Sequence, residues 1–301
     1  MSEYAPIALF AYKRPEHTRR TLESLMANAE FKDSPFYVFC DGPRNESDIS
    51  LVQRTKQVIR EFGFSNVVIT ERERNLGLSR SIITGVSELC DQFGRAIVAE
   101  DDLVFSPYFL KYMNEALTLY ENEPKVMQIS GHMFQVNFSG SANECFFLPY
   151  TTTLGWATWK RAWNSLDESM KGYERLKKDR SLRYRFNMNG AYPYYKMIDD
   201  HKSGRVNSWG IQWYLSVFMN GGLTLHPRGS LVMHKGFDFE ATHAMIDDNV
   251  YANNVSAVPI SSFPRLLDVD AAILDEYVAF FNQDRYRRFL KKIINKIGHV
   301  F

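Results

Sequence analysis

The sequence predicts an α/β protein built around a mostly parallel sheet. Short apolar runs alternate with segments of helical spacing from Pro6 to Ile129, an alternation typical of parallel strands joined by right-handed helical crossovers. Polar or turn-forming residues follow each of the first four apolar runs, and the fourth is followed by three consecutive acids, Glu100, Asp101 and Asp102. Because α/β sheets bind ligands beyond the carboxyl ends of their strands, these residues predict a binding edge.

The individual elements follow from apolar spacing. The predicted strands are Pro6–Ala11, Pro35–Cys40, Val67–Thr70, Ala96–Ala99 and Val126–Ile129. The predicted helices are Pro15–Met26, 46–62, Leu78–Leu89 and 107–121. Ser106 is expected to cap the last of these helices, with Pro107 as its first residue. Beyond residue 145 the pattern becomes irregular, so we expect a nucleotide-binding half over residues 1–130 and a second half over 131–270.

Composition excludes several classes of protein. The 36 basic residues nearly balance the 35 acidic ones, which argues against a general nucleic-acid binder. The three cysteines, Cys40, Cys90 and Cys145, form no metal-binding or disulfide pattern and favour a reduced, cytoplasmic protein. The sequence shows no signal-peptide pattern and no apolar stretch long enough to span a membrane.

The acidic triplet is the strongest chemical signal. A buried strand has no use for three adjacent charges, because an unpaired buried carboxylate is very costly. At the carboxyl end of a strand, however, clustered carboxylates suit a hard divalent cation that also holds substrate phosphates. The alternative is a solvated acidic turn.

Other motifs are absent or open to two interpretations. The chain lacks a GxGxxG segment after the first strand, a GxxxxGK[ST] phosphate loop and a GxSxG elbow. Its five tryptophans all fall between residues 150 and 215. They are expected either to pack in the core or to form the aromatic wall of a sugar-binding cleft.

The order of these segments resembles that of GT-A glycosyltransferases, in particular bacterial sugar transferases related to N-acetylglucosaminyltransferase I. The similarity extends over about residues 5–245, and the segments that carry it are Pro6–Arg14, Cys40–Gly42, Asn75–Gly77, Glu100–Asp102, Gly155–Trp159, Trp209–Trp213 and Val232–Gly236.

This resemblance implies a GT-A domain over residues 1–270 with a mixed, mostly parallel sheet. It further implies transfer of a sugar from a nucleotide diphosphate sugar, expected to be a uridine diphosphate sugar, to a glycan hydroxyl in the synthesis of bacterial surface polysaccharide or lipid-linked oligosaccharide. Mn²⁺ or Mg²⁺ would bridge the two phosphates and stabilise the leaving nucleoside diphosphate.

The resemblance also assigns roles at the acidic edge. It implies that Asp102 and His234 bind the metal, and that Asp101 holds the ribose or a metal-bound water. Glu100 would contact the donor sugar. For His234, a structural role is the alternative.

Further candidates lie on the other edge loops. Asp41 is expected to accept a hydrogen bond from the nucleotide base, with a simple Asp-Gly turn as the alternative, and Tyr12 to stack on that base. Arg14 is a candidate for contact with the diphosphate or the base. Arg74 and Arg80 flank Asn75–Gly77 and are candidates for binding the donor nucleotide in the crevice, with a surface cation as the alternative for Arg80. Trp156 and Trp209 are the candidate sugar-binding aromatics.

The catalytic base is not evident, because Gly210 stands where related enzymes carry the aspartate of a Trp-Asp motif. Asp238 is the candidate base for an inverting reaction. Glu240, Asp199 and Asp200 are weaker candidates, and the last two are expected to be an exposed helix end. A retaining mechanism without a dedicated base also remains open.

Two other functions fit parts of the pattern. A sugar-nucleotide nucleotidyltransferase also uses an α/β nucleotide fold and Mg²⁺, but it should carry a glycine-rich loop where this chain has Tyr12-Lys13-Arg14-Pro15. A catalytically inactive carbohydrate-binding protein of the same fold is compatible with Gly210.

Residues 277–301 predict a basic amphipathic helix. Its apolar stripe comprises Tyr286, Phe289, Leu290, Ile293, Ile294 and Ile297, and arginines and lysines fall mainly on the remaining surface. Such a helix can bind an anionic membrane, which would place the protein at the cytoplasmic face of the inner membrane. The alternative is that the stripe packs on the domain or on a second subunit in a homodimer.

Overall fold

The computed structural model describes residues 3–139, 143–234 and 255–283. Its strands are β1 (Ile7–Ala11), β2 (Phe36–Cys40), β3 (Val67–Glu71), β4 (Arg95–Glu100), β5 (Leu103–Phe105), β6 (Val126–Ser130), β7 (Cys145–Leu148), β8 (Trp156–Trp159), β9 (Leu223–Pro227) and β10 (Val232–His234). Its helices are α1 (Pro15–Met26), α2 (Ile49–Glu61), α3 (Leu78–Phe93), α4 (Phe109–Leu119), α5 (Lys160–Trp163), α6 (Gly172–Lys178), α7 (Arg180–Phe186), α8 (Tyr194–Lys202), α9 (Trp209–Met219) and α10 (271–283).

Eight strands form one mixed sheet in the order β3-β2-β1-β4-β8-β6-β9-β7. Strands β1 to β4 pair in parallel, as do β6 and β9. Strand β8 lies antiparallel between β4 and β6, so β6 and β9 run in the same direction as β1 to β4. The predicted α/β class with a mixed, mostly parallel sheet is confirmed, and the carboxyl ends of six strands share one edge.

Helices cover both faces of the sheet. In β1, Ile7 and Leu9 belong to the core cluster that includes side chains of α1 and α4. Ala8 and Phe10 belong to the cluster with α3 and α9. This alternation follows from the two-residue period of a strand, and burial on both faces explains why the parallel strands are apolar almost throughout.

The sequence located most elements of the first half to within a few residues. Helix α1 has the predicted bounds, with Pro15 as its first residue. The predicted start of α4 was wrong, because the helix begins at Phe109. Ser106 and Pro107 lie in the preceding turn, where the Ser106 hydroxyl accepts a hydrogen bond from the Tyr108 amide at 3.2 Å.

A third core cluster joins the helices of the second half. It combines side chains of α6 to α10 with those of β7. Helix α10 contributes Ile273, Tyr277 and Phe281, all of which are buried. The predicted C-terminal helix therefore differs at its start: it begins at residue 271, and residues 277–283 pack on the domain. The apolar stripe predicted from Tyr286 onward lies outside the described residues.

Candidate active site

The acidic triplet lies at the carboxyl edge of the sheet, as predicted. Glu100 is the last residue of β4, and Asp101 and Asp102 form the turn into β5. Strand β5 pairs antiparallel with β10, which places His234 opposite Leu103. This pairing brings together two segments that are more than a hundred residues apart in the sequence.

Asp102 has two basic partners at one oxygen. Its Oδ2 accepts a short hydrogen bond from Nη1 of Arg14 and lies 3.3 Å from Nε2 of His234. Their three side chains are between 12% and 18% exposed, so a ligand can reach them. The structure therefore brings together three of the residues that the sequence singled out.

Asp101 is held by the end of β1. Its Oδ2 accepts a hydrogen bond from the backbone amide of Tyr12 at 2.8 Å. The Tyr12 hydroxyl donates to Oδ2 of Asp48 at 2.6 Å, and Lys13 Nζ donates to Oδ1 of the same carboxylate at 2.6 Å. Asp48 was not identified from the sequence, because its partners lie 35 and 36 residues away. The predicted stacking of Tyr12 on a base stays a prediction.

The three acids lie close enough to perturb one another. Burial, followed by the charges of Asp102 and Asp101, raises the pKa of Glu100 well above its usual range. Burial and the charge of Asp102 raise the pKa of Asp101 to about 7. Burial also favours the neutral form of Asp102, but His234 and Arg14 outweigh it and lower the pKa of that carboxyl. Two acids that resist ionisation beside a third that is ionised indicate a site that can accept further positive charge.

The oxygen of Asp102 and the nitrogen of His234 are suitable ligands for a divalent cation that also binds substrate phosphates. Among the described residues, no group of three or more histidine, cysteine or acidic side chains converges. Asp102 and His234 are the two predicted metal ligands, and their side chains lie together. Mg²⁺ and similar cations are commonly held by one or two carboxylates together with substrate phosphates. The Arg14 guanidinium at Asp102 shows that this oxygen already attracts a cation.

Asp41 has a different set of partners. Its Oδ1 accepts hydrogen bonds from the amides of Gly42 at 3.1 Å and Leu76 at 2.9 Å, and its Oδ2 accepts from Gly77 at 3.0 Å. Two carboxylate oxygens offer about four acceptor positions, so these three bonds leave about one, and the predicted contact of Asp41 with a base stays a prediction. Asp41 thus fixes the loop before α3, and its favourable position at the N-terminus of that helix adds to the stabilisation.

The remaining basic candidates are on the surface. Arg80 is 61% exposed, and its Nη1 lies 3.8 Å from Oε2 of Glu168. Arg74 is also exposed, and its backbone crosses so close to Gly42 that a Cβ there would lie 2.6 Å from it. Their predicted roles in binding the donor nucleotide stay predictions.

The predicted sugar-binding role of Trp156 and Trp209 requires correction. Trp156 is 0% exposed and Trp209 is 4% exposed, and their rings stack with centroids 5.2 Å apart. Both belong to the core cluster between the sheet and α9. Because neither ring offers a free face, they pack in the core and do not form the wall of a cleft.

Gly210 is explained by packing. It is the second residue of α9, and a Cβ at this position would lie 2.8 Å from Cγ2 of Thr153. Asp200 is paired with Lys196 and Arg205 at the end of α8, in agreement with the expected helix-end position. Asp199 accepts from the Tyr173 hydroxyl at 2.8 Å. The candidate bases Asp238 and Glu240 lie outside the described residues.

A surface groove of about 460 Å³ lies away from the acids. It is found where α6 meets the end of α9. Because the end of α9 leads into the start of β9, the groove is near the amino-terminal edge of the sheet. Its lining residues are Lys171, Gly172, Glu174, Arg175, Lys178 and Met219. In the part of the chain that the structure describes, no helix combines the length and apolar character needed to cross a bilayer.

Comparisons with known proteins point to one family. The GNT-I family model matches residues 1–173, more than half of the chain and all strands from β1 to β8. No curated protein matches the chain.

Three solved structures are similar to the chain. The first is the mannosyltransferase PcManGT from Pyrobaculum calidifontis in complex with GDP-Man and Mn²⁺, with a TM-score of 0.33, 10% identity, and coverage of 42% of this chain and 34% of that one. The second is GalNAc-T7 with UDP, GalNAc and Mn²⁺, with a TM-score of 0.49, 9% identity, and coverage of 77% and 44%. The third is S. aureus TarS 1-349, with a TM-score of 0.44, 13% identity, and coverage of 77% and 60%. The chain thus spans less than two thirds of the length of each structure.

Proposed function

Because the chain belongs to the GNT-I family, we propose that it is a glycosyltransferase that moves a sugar from a nucleotide diphosphate sugar to a glycan hydroxyl. The observation that carries this proposal is the convergence of Asp102, His234 and Arg14 at the carboxyl edge of the sheet. A diphosphate needs positive charge around it, and this edge combines a cationic side chain with donors for a divalent cation.

Asp102 and His234 would hold Mn²⁺ or Mg²⁺, and Arg14 would contact the diphosphate. The bound cation would supply Lewis-acid stabilisation of the charge that develops on the leaving nucleoside diphosphate. Asp101, which accepts a hydrogen bond from the Tyr12 amide, would meet the ribose or a metal-bound water. Glu100, next to both acids at the end of β4, would meet the donor sugar.

A uridine diphosphate sugar is the proposed donor, and bacterial surface polysaccharide or lipid-linked oligosaccharide is the proposed acceptor class. The nucleotidyltransferase alternative is disfavoured, because no glycine-rich loop follows β1. The residues at that position are Tyr12 and Lys13, whose side chains are held by Asp48. Turnover of a sugar nucleotide distinguishes an active transferase from the inactive carbohydrate-binding alternative.

A nucleotide screen tests this function. Thermal unfolding should be measured with UDP-, GDP- and ADP-sugars, each with and without Mn²⁺. One ligand at 100 times its dissociation constant should stabilise the protein by about 2.7 kcal/mol, and the effect should require Mn²⁺. Release of UDP from the stabilising sugar nucleotide then establishes turnover. Nucleotide binding without turnover on any glycan acceptor would favour the inactive alternative, and no binding of any sugar nucleotide would contradict the transferase.

We also propose that residues 284–301 bring the enzyme to the cytoplasmic surface of an anionic membrane. Truncation should be made after residue 283, because Tyr277 and Phe281 are part of the core. The truncated protein should lose co-sedimentation with phosphatidylglycerol vesicles and keep its activity on a soluble acceptor. A full-length chain that ignores these vesicles at low salt would contradict the proposal.

A further inference from the structure

We propose that Arg14 occupies the cation position at Asp102 before metal binds, and that donor diphosphate draws it away, so that nucleotide and metal bind cooperatively. This inference rests on the proposed function of the same site. It concerns the order and coupling of binding, which the fold alone does not define.

The first step is the shared oxygen. Arg14 Nη1 donates to Oδ2 of Asp102, and Nε2 of His234 lies 3.3 Å from that same oxygen. The arginine neutralises a carboxylate that is flanked by Glu100 and Asp101. A divalent cation bound to this oxygen would do the same, and it would lie a few ångströms from the guanidinium. Like charges at that separation in a partly buried site repel strongly, so the two cations compete for Asp102.

The second step is that Arg14 can move without its backbone. The Arg14 carbonyl accepts hydrogen bonds from the amide of Thr18 at 2.9 Å and from its hydroxyl at 2.8 Å. The preceding residues are fixed as well, since the Tyr12 amide donates to Asp101 and Lys13 pairs with Asp48. The main chain is thus held at both sides, and the long side chain retains several rotatable bonds with which to leave Asp102.

The third step is where the guanidinium goes. Arginine matches phosphate oxygens with a planar fork of donors, as it matches carboxylates. A diphosphate at this edge therefore offers Arg14 a replacement for Asp102. When the guanidinium moves, the Asp102 oxygen would be free to hold a divalent cation, whose charge would offset that of the diphosphate. By linkage, each ligand then raises the affinity for the other by the same factor.

The test is Mn²⁺ binding by the full-length chain, measured from the electron paramagnetic resonance signal of free Mn²⁺, with and without UDP. Arg14→Gln keeps most of the side-chain length and removes its charge. Without UDP, this variant should bind Mn²⁺ about tenfold more tightly than the wild type, within the usual range of coupling between sites. UDP should tighten Mn²⁺ binding in the wild type by a larger factor than in the variant.

Two controls locate the effect. Arg20→Gln removes the same charge from an exposed position on α1 and should leave Mn²⁺ affinity unchanged, which separates local competition from a change in net charge. Asp102→Asn should abolish the Mn²⁺ binding in both the wild-type and Arg14→Gln backgrounds. Circular dichroism and the melting temperature check that each variant is folded.

The outcomes separate this inference from the proposed function. If folded Arg14→Gln binds Mn²⁺ no more tightly than the wild type in the absence of UDP, Arg14 does not compete with the metal and the inference is overturned. The transferase proposal would still stand if the wild type binds Mn²⁺ and UDP. If neither protein binds Mn²⁺ even with UDP, the metal-dependent site fails and this inference fails with it.

Discussion

Two aspartates at the same edge of the sheet are held in opposite ways. Asp41 follows β2 and accepts from three backbone amides, those of Gly42, Leu76 and Gly77. Asp102 follows β4 and is paired with two side chains, Arg14 and His234. Backbone partners are fixed by the fold, whereas side-chain partners can exchange with a ligand. The comparison shows that Asp41 fixes a loop, and it supports Asp102 as the residue proposed to hold the metal.

The largest effect is expected at Asp102. Asp102→Asn removes the charge that would hold the metal. Loss of the metal would remove several kcal/mol of transition-state stabilisation, so kcat should fall by at least about a thousandfold. The melting temperature should change little. Asp91→Asn is the matched control, because Asp91 forms an exposed ion pair with Lys160 of a kind that contributes little to stability. Full turnover in Asp102→Asn would remove this residue from the metal site.

A smaller effect, on stability, is expected at Asp41. Asp41→Asn replaces charge-assisted hydrogen bonds to backbone amides, so the free energy of unfolding should fall by roughly 1.5–3 kcal/mol. Urea denaturation measures this loss, with the exposed Glu73→Gln in the neighbouring loop as control.

Nucleotide affinity then separates the two roles of Asp41. If the residue only positions the loop, Asp41→Asn should lower the affinities for UDP, GDP and ADP by the same factor. A loss confined to UDP would show that Asp41 also contacts the base and would break the contrast with Asp102.

His226 extends the comparison to a buried side chain that has a backbone partner and can also change its charge. Its Nε2 lies 2.9 Å from the carbonyl oxygen of Tyr150, and burial lowers its pKa to about 4. The unfolded chain takes up this proton below about pH 6.5, so the stabilisation is complete above that pH and is lost as the pH falls toward 4. Between pH 7 and pH 5 the contribution is about 2 kcal/mol.

Urea denaturation at pH 7 and pH 5 measures this contribution. In His226→Gln the fall in unfolding free energy between the two pH values should be smaller by that amount, although the variant is less stable at pH 7. An identical fall in both proteins would mean that His226 is protonated in the folded state.

Local signals allowed the sequence to predict most of the elements in residues 1–130. Pro15 at the start of α1 and the alternation of apolar runs are readable within a few residues, and the acids after β4 marked the edge. The positions of β8 and Asp48 were not predictable in this way. Strand β8 pairs with β4 across about sixty residues, and Asp48 finds Tyr12 only after the chain has folded.

The tryptophans show how a composition signal can mislead. Their concentration between residues 150 and 215 fitted a sugar-binding wall as well as a core. Burial decided between the two, and burial depends on the packing of α9 against the sheet. The partners of Asp41 were equally non-local, since Leu76 and Gly77 approach it from the loop after β3.

The tryptophan cluster has a consequence for spectroscopy. Trp156, Trp163, Trp209 and Trp213 lie with neighbouring ring centroids 5.0 to 6.5 Å apart, close enough for their electronic transitions to couple. The protein should show a strong near-ultraviolet circular dichroism signal and blue-shifted emission from these buried rings. Both signals report the docking of α5 and α9 on the sheet, so fluorescence follows the integrity of that junction and is a poor monitor of nucleotide at the acidic edge.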